Sequence, residues 1–180
     1  IYPEVVFKEM SGEELLFPDS SFDVVAISMA LHHLPNVSKT LAEMQRVVKP
    51  GGWIIVNELF RDNLNPAQEV HKLYHHFRST TDRILGVSHN KTFKKQEIID
   101  FVTDSGFDVL CEFEFKEEGS LIKTSEDLYE RIAKMEAMLD KIVGHPEYEN
   151  LKHQIADFSE KAKQFGFEMA TRVVVIGTKK

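Results

Sequence analysis

The chain has 180 residues, 42% of them hydrophobic and 28% charged, so it is long enough to bury the core of one ordinary globular domain. Its formal charge of −7 at pH 7 argues against nucleic acid as a partner, because neutralising phosphates requires clustered Lys and Arg. No apolar run approaches the roughly 20 residues of a membrane-spanning helix, and no signal peptide is recognisable, so we expect no membrane partner. The single cysteine, Cys111, excludes an internal disulfide and favours a reducing cytoplasm.

The first two predicted elements are a strand over Glu4–Met10 and a loop over Ser11–Glu14. A second strand follows at Asp23–Ser28, a short apolar run of the kind that is buried on both faces of a sheet.

A helix and a further buried strand come next. Leu34, Val37, Leu41, Met44 and Val48 recur at spacings of three and four, which predicts a helix with one apolar face. Pro50-Gly51-Gly52 is predicted to end it, and Trp53–Val56 is a second apolar run. Two buried strands joined by a helix form a βαβ unit, which predicts an α/β domain with a parallel sheet.

Three sequence blocks in this region share the order and gaps of a known family. They are Leu16–Val25, Ala30–Leu34 and Val47–Gly52. Together they resemble the class I S-adenosylmethionine-dependent methyltransferases, in the small-molecule branch typified by ubiquinone and sterol methyltransferases. The resemblance covers residues 1 to about 120 and the final strand. It implies a Rossmann-like, mostly parallel sheet flanked by helices.

The resemblance also implies that parts of the family's fold lie upstream of Ile1. The family's glycine-rich loop and the acidic residue that binds the ribose are not found in the 180 residues. We therefore expect the C-terminal two-thirds of such an enzyme, with residues 1–124 forming an incomplete methyltransferase domain.

S-adenosylmethionine is the cofactor that the resemblance implies. It assigns two segments to the cofactor: Ser11, Gly12 and Glu13 after the first strand, and Ser28, Met29, Ala30 and Leu31 after the second. In the alternative interpretation, the glutamates of the first segment are solvated loop residues.

His33 and Glu58 are predicted to face a small-molecule substrate, because each follows a strand at the sheet edge where α/β folds bind ligands. His32 is a weaker candidate. The alternatives are a histidine that packs under the loop and a salt bridge between Glu58 and Arg61.

A helix over Pro66–Ile84 is predicted within a lid of about residues 64–92, in which Tyr74 is a further substrate candidate. His71 and His75 are four residues apart, the spacing of a two-histidine metal site. No third ligand is evident nearby, so no metal is predicted, and a plain surface helix is the alternative.

The second half of the chain contains the remaining predicted elements. We expect a helix over Thr92–Phe107, capped by Thr92 or a neighbour, and an edge strand over Val109–Phe115. Two apolar seams on either side of Gly144-His145-Pro146 predict an antiparallel helical hairpin, inserted at residues 125–167. A final strand at 168–180 is expected to lie antiparallel within the sheet, as the resemblance implies. The hairpin or an exposed sheet edge is a candidate homodimer contact.

The predicted function is methyl transfer to a small molecule by direct displacement, in the cytoplasm. Such chemistry depends mainly on positioning, and a base is needed only for a protonated acceptor. His33, His71 and His75 are the candidate bases. The alternatives are a non-catalytic, methyltransferase-like fragment acting in assembly and another Rossmann-like nucleotide-binding enzyme.

Overall fold

A mixed four-stranded sheet forms the centre of the fold in the computed structural model, which describes residues 4–122 and 124–180. The sheet order is β1-β2-β4-β3, with β1 (Phe22–Ser28), β2 (Val48–Leu59), β3 (Phe107–Phe115) and β4 (Arg172–Lys179). β1 and β2 pair in parallel, whereas β4 lies antiparallel between β2 and β3. Three of the four strands therefore point the same way, which confirms the Rossmann-like α/β prediction and the antiparallel final strand.

Five α-helices accompany the sheet within the described ranges. They are α1 (Val37–Val47), α2 (Pro66–Ile84), α3 (Lys95–Asp104), α4 (Ser125–Leu139) and α5 (Tyr148–Phe165). Short 3-10 turns cover Leu31–His33 and Asp140–Ile142. The predicted helix over Pro66–Ile84 and the predicted helical hairpin are both confirmed. No helix in the described residues is long and apolar enough to cross a membrane.

Two apolar cores stabilise the two halves of the molecule. The first joins the sheet to α1 and α3 and includes Leu41, Ile54, Val102 and Val175. The second joins α2 to the hairpin and includes Phe77, Met135, Leu151, Phe158 and Phe167. The periodic apolar positions predicted for α4 and α5 thus pack against α2.

The predicted strand over Glu4–Met10 is wrong. Residues 5–11 form no regular structure, and Phe7 is 88% exposed. A strand requires a neighbour that satisfies its backbone donors and acceptors, and no strand of the described residues pairs with this segment.

The boundary between α1 and β2 also differs from the prediction. The helix ends at Val47, and Pro50-Gly51-Gly52 lies inside the start of β2, where the pairing register with β1 shifts. A Cβ atom on Gly52 would lie 2.8 Å from the Asp23 carbonyl oxygen, so this close backbone approach requires glycine.

The edge strand is confirmed, but the cap of the preceding helix is not Thr92. α3 begins at Lys95, and the Glu97 carboxylate accepts the Lys94 backbone N–H at 2.6 Å. On β3, Phe113 is 49% exposed and Cys111 is also exposed.

Candidate functional site

The carboxyl ends of β1 and β2 meet at a strained turn. Met29 has a φ of +52°, a conformation that is uncommon for residues other than glycine. Its backbone N–H donates to the Asn57 carbonyl at 2.8 Å, and the Asn57 side-chain amide donates to Ser28 Oγ at 2.9 Å. Strained backbone of this kind clusters at ligand sites, so the turn is a candidate ligand contact.

Glu58 fixes the next turn from inside the protein. Its carboxylate accepts hydrogen bonds from the Leu31 backbone N–H at 2.8 Å, His32 Nδ1 at 2.9 Å and the Leu59 backbone N–H at 2.8 Å. The side chain is 1% exposed. The turn over Leu31–His33 is therefore held by one buried carboxylate.

This geometry corrects the prediction that Glu58 faces a substrate. Both of its oxygens accept hydrogen bonds from the protein, and it forms no ion pair with Arg61, which contacts Glu97 at 3.2 Å instead. Strand periodicity contains the missed signal, because Ile54, Val56 and Glu58 alternate onto the same buried face.

The loop with Ser11, Gly12 and Glu13 packs against α1. Ser11 Oγ accepts the Glu13 backbone N–H at 3.1 Å, and Glu13 pairs with Lys39 at 3.4 Å. A Cβ atom on Gly12 would lie 3.2 Å from Thr40 Cγ2 and 3.8 Å from Leu34, so the loop lies beside the chain that leaves β1. The assignment of this loop to the cofactor stays a prediction.

Two buried acceptors in this region lack hydrogen-bond partners among the described residues. They are Thr40 Oγ1, beside Gly12, and Asn57 Oδ1, on the side chain that contacts Ser28. Unpaired buried polar atoms are few in native proteins. S-adenosylmethionine has an adenine amino group and an ammonium group that donate hydrogen bonds, so the chemistry of these acceptors fits the predicted cofactor.

Four histidines form a cluster next to the turn over Leu31–His33. The ring centroids are 4.3 Å apart for His32 and His33, 4.4 Å for His33 and His89, and 4.9 Å for His75 and His89. His33 is exposed and the other three are buried. Sequence reasoning missed His89 because it lies in an irregular loop after α2, where no periodicity indicates its direction.

The loop that bears His89 is held by α2. The Asp82 carboxylate accepts from His89 Nδ1 at 2.6 Å, and Ser79 Oγ donates to the His89 carbonyl at 2.8 Å. His89 Nε2 lies 3.4 Å from His75 Nε2, while His75 Nδ1 is buried without a hydrogen-bond partner in the described chain. The ring orientation of His89 is thus fixed from outside the cluster.

Burial lowers the pKa of three histidines of the cluster, His33, His75 and His89, and so favours their neutral imidazoles. It lowers the pKa of His75 to about 2, with further contributions from His32 and His89. The pKa of His33 is also lowered, first by burial and then by His32. Burial likewise lowers the pKa of His89, although its hydrogen bond to Asp82 opposes that shift.

His71 and Tyr74 are in the second core rather than beside the cluster. The Ala170 backbone N–H donates to His71 Nδ1 at 3.2 Å, and burial together with Arg131 lowers the His71 pKa to about 4. Tyr74 is 9% exposed and packs against Phe158. The predicted base His71 and the predicted substrate contact Tyr74 are therefore structural residues in this fold.

His71 and His75, which the helix spacing places on one face of α2, are both buried. Their ring centroids are 6.2 Å apart, and only His75 belongs to the cluster. A cavity of about 620 Å³ between α4 and α5 contains none of the predicted site residues.

Comparison with known proteins finds matches to the first part of the chain, which includes β1 and most of β2. Residues 2–56 match the family model described as "Methyltransferase domain". Over 74 residues the chain is 39% identical to the ubiquinone/menaquinone biosynthesis C-methyltransferase UbiE of Vibrio campbellii, covering 41% of this chain and 29% of that protein. It is 34% identical over 73 residues to a demethylmenaquinone methyltransferase of Lysinibacillus sphaericus, 31% of which is covered. Residues 2–56 are thus similar to part of a methyltransferase domain.

The methyltransferase fold extends through the whole chain. Protein BH2331 of Bacillus halodurans has a TM-score of 0.59 at 20% identity, covering 98% of this chain and 78% of its own. The [4+2]-cyclase SpnF has a TM-score of 0.54 at 15% identity, covering 96% of this chain and 55% of its own. The fold of this chain is thus also the fold of a cyclase, so the fold alone does not determine the reaction.

Proposed function

We propose that this chain supports S-adenosylmethionine-dependent methyl transfer to a small-molecule acceptor, at the carboxyl ends of β1 and β2. The observation that carries the proposal is the strained Met29 turn, which lies beside a loop fixed by the buried Glu58. The sequence match over residues 2–56 supports the reaction class.

The cofactor-binding residues we propose are those of the two segments predicted from the sequence. Ser28, Met29, Ala30 and Leu31 provide backbone groups at the strand end, and the loop with Gly12 approaches from α1. Thr40 Oγ1 and Asn57 Oδ1 are unpaired acceptors for the donors of the cofactor. When bound, S-adenosylmethionine supplies a methyl group on a positively charged sulfur.

We propose that His33 contacts the methyl acceptor. It is the exposed member of the histidine cluster, and its ring packs against the buried rings of His32 and His89. Its neutral imidazole orients an acceptor and takes a proton from an acceptor that is protonated. His75, which remains a candidate, lies behind His89, and α2 with its following loop forms the proposed lid.

The acceptor we propose is a hydrophobic small molecule of the quinone type. The names of the matched relatives support this class, because they include ubiquinone, menaquinone and demethylmenaquinone. Because the match covers about 30% of those proteins, the activity of a whole enzyme is itself part of the proposal. A cytoplasmic location and a homodimer contact also stay predictions.

Calorimetric titration of S-adenosylhomocysteine into the chain tests the cofactor assignment. We expect 1:1 micromolar binding that weakens at least tenfold in Asn57→Leu, which removes an unpaired acceptor. Transfer of a labelled methyl group to a demethylated quinol tests the reaction, and His33→Ala should reduce turnover without changing cofactor affinity. Absence of binding at millimolar ligand would contradict the proposal.

A second function, in assembly, is favoured by the position of β1 at the outer edge of the sheet, where no other strand of the described residues pairs with it. Val24 is 50% exposed, and an apolar groove of about 300 Å³ runs along this strand beside Leu15 and Phe17. Exposed strand edges bind other chains readily. Sedimentation measured over a range of protein concentrations tests this alternative. The alternative requires that the chain self-associates, or binds a partner, at micromolar concentration.

A further inference from the structure

The histidine cluster has the donor set of a transition-metal site. One nitrogen from each of His32, His33 and His89 lies within 4.8 Å of the other two, close enough for small side-chain movements to bring all three to one ion. A tetrahedral ion with metal–nitrogen bonds of about 2.0–2.1 Å places its ligand nitrogens roughly 3.3–3.4 Å apart. Contraction by roughly 1 Å or more therefore completes the geometry, and the exposed His33 can make that movement by giving up its hydrogen bond to the Ser88 backbone.

Two of these imidazoles already have the hydrogen bonds that metal-bound histidines use. His32 Nδ1 faces the buried Glu58 carboxylate at 2.9 Å, and His89 Nδ1 faces Asp82 at 2.6 Å. A proton held on each Nδ1 leaves Nε2 with a free lone pair. Carboxylates in this position orient a histidine and raise the basicity of its other nitrogen, which strengthens a metal bond.

The surroundings add a further nitrogen ligand. His75 Nε2 lies 3.4 Å from His89 Nε2, which matches the edge of a tetrahedral site. His75 Nδ1 has no hydrogen-bond partner in the described residues, so no contact to that atom fixes the tautomer, and Nε2 can carry the lone pair. Four imidazoles without a directly coordinating carboxylate favour Zn²⁺ or another nitrogen-preferring ion over Mg²⁺ or Ca²⁺.

We propose that His32, His33 and His89 form a binding site for a divalent transition-metal ion of the zinc class, with Glu58 and Asp82 orienting two of the ligands. Three protein ligands leave a fourth position open. That position takes water, His75, or an oxygen atom of the methyl acceptor. The last possibility rests on the proposed function, whereas metal binding itself does not. With the ion bound, the lone pair of His33 is on the metal, so the proton-accepting role proposed for His33 applies to the metal-free chain.

Zn²⁺ titration of the metal-free chain by calorimetry tests the proposal. We expect one ion per chain with a dissociation constant in the micromolar range or below. Co²⁺ used as a spectroscopic probe should give the intense visible absorption of a four-coordinate complex. His33→Ala is the primary variant because its side chain is exposed and its loss leaves the core intact. It should bind Zn²⁺ at least tenfold more weakly.

Two further variants and one control complete the test. His89→Ala should also weaken binding at least tenfold, and Asp82→Asn should weaken it roughly tenfold or more through the lost orientation of His89. His153→Ala, an exposed histidine on α5, should bind Zn²⁺ like the unmodified chain. Absence of saturable 1:1 binding, or unchanged affinity in both His33→Ala and His89→Ala, would overturn the site. Because metal alone is titrated, this result is separate from that of the S-adenosylhomocysteine experiment.

Discussion

Glu58→Gln is the perturbation that tests the proposed site architecture most sharply. The carboxylate accepts three hydrogen bonds of 2.9 Å or shorter, from Leu31, His32 and Leu59. An amide of the same shape keeps one acceptor oxygen and places an NH2 group where the other oxygen accepted. A change of tautomer allows His32 to accept from that group, but the Leu59 backbone N–H then loses its partner.

The expected cost follows from these contacts. A buried donor left without a partner costs about 1–3 kcal/mol, and a hydrogen bond to a charged group contributes about 1.5–3 kcal/mol. We therefore expect Glu58→Gln to lower the free energy of unfolding by about 2–4 kcal/mol. The substitution should also loosen the turn over Leu31–His33 and so weaken S-adenosylhomocysteine binding at least tenfold.

Urea denaturation and calorimetry measure the two effects. Glu114→Gln is the matched control, because Glu114 is half-exposed and pairs with Lys95 at 3.2 Å on the surface. It should change the stability by less than about 1 kcal/mol. If Glu58→Gln is as stable as Glu114→Gln and binds ligand equally well, the reasoning about the buried carboxylate is wrong.

Three further predictions concern stability and specificity. Because burial lowers the His71 pKa to about 4, this group resists protonation in the folded state, so the stability present above about pH 6.5 should fall as the pH drops to 4. His71→Asn keeps an acceptor for the Ala170 backbone N–H but cannot be protonated in this range. Between pH 6.5 and 4, the free energy of unfolding measured with urea should therefore fall by about 3 kcal/mol less in the variant, and an equal fall in both proteins would contradict this effect of His71. Gly52→Ala should destabilise the chain by about 1–3 kcal/mol in urea denaturation, because its Cβ would meet the Asp23 carbonyl oxygen; an unchanged stability would contradict the close approach. Tyr74→Phe should leave the KM for the acceptor within twofold, since Tyr74 packs in the second core; a large rise would restore it as a substrate contact.

The elements with strong local signals were predictable. The Pro66–Ile84 helix has its boundaries where the sequence places them, because Asn65 caps it in a capping box with Gln68 and Pro66 suits the first turn. The failure of the strand predicted over Glu4–Met10 could not be foreseen from the sequence. A strand forms only with a neighbour to pair with, and composition does not reveal whether that neighbour is present.

The candidate site could be predicted only in part, because it too depends on contacts between distant parts of the chain. The strand ends were predicted correctly, and the inward direction of Glu58 follows from the alternation of β2. The cluster was not, because His89 meets His32 and His33 only when the loop after α2 folds back onto the β1 turn. Helix spacing places His75 on the same face as His71, but only the tertiary fold brings its Nε2 within 3.4 Å of His89 Nε2.

The most direct measurement of the central claim is the amide NMR spectrum of the isotope-labelled chain during titration with S-adenosylhomocysteine. We expect saturable chemical-shift changes at the amides of Gly12 and Ser28–Leu31, while amides near Leu139, beside the cavity between α4 and α5, remain unchanged. Saturable shifts confined to the hairpin, or no shifts at millimolar ligand, would contradict a cofactor site at the carboxyl ends of β1 and β2.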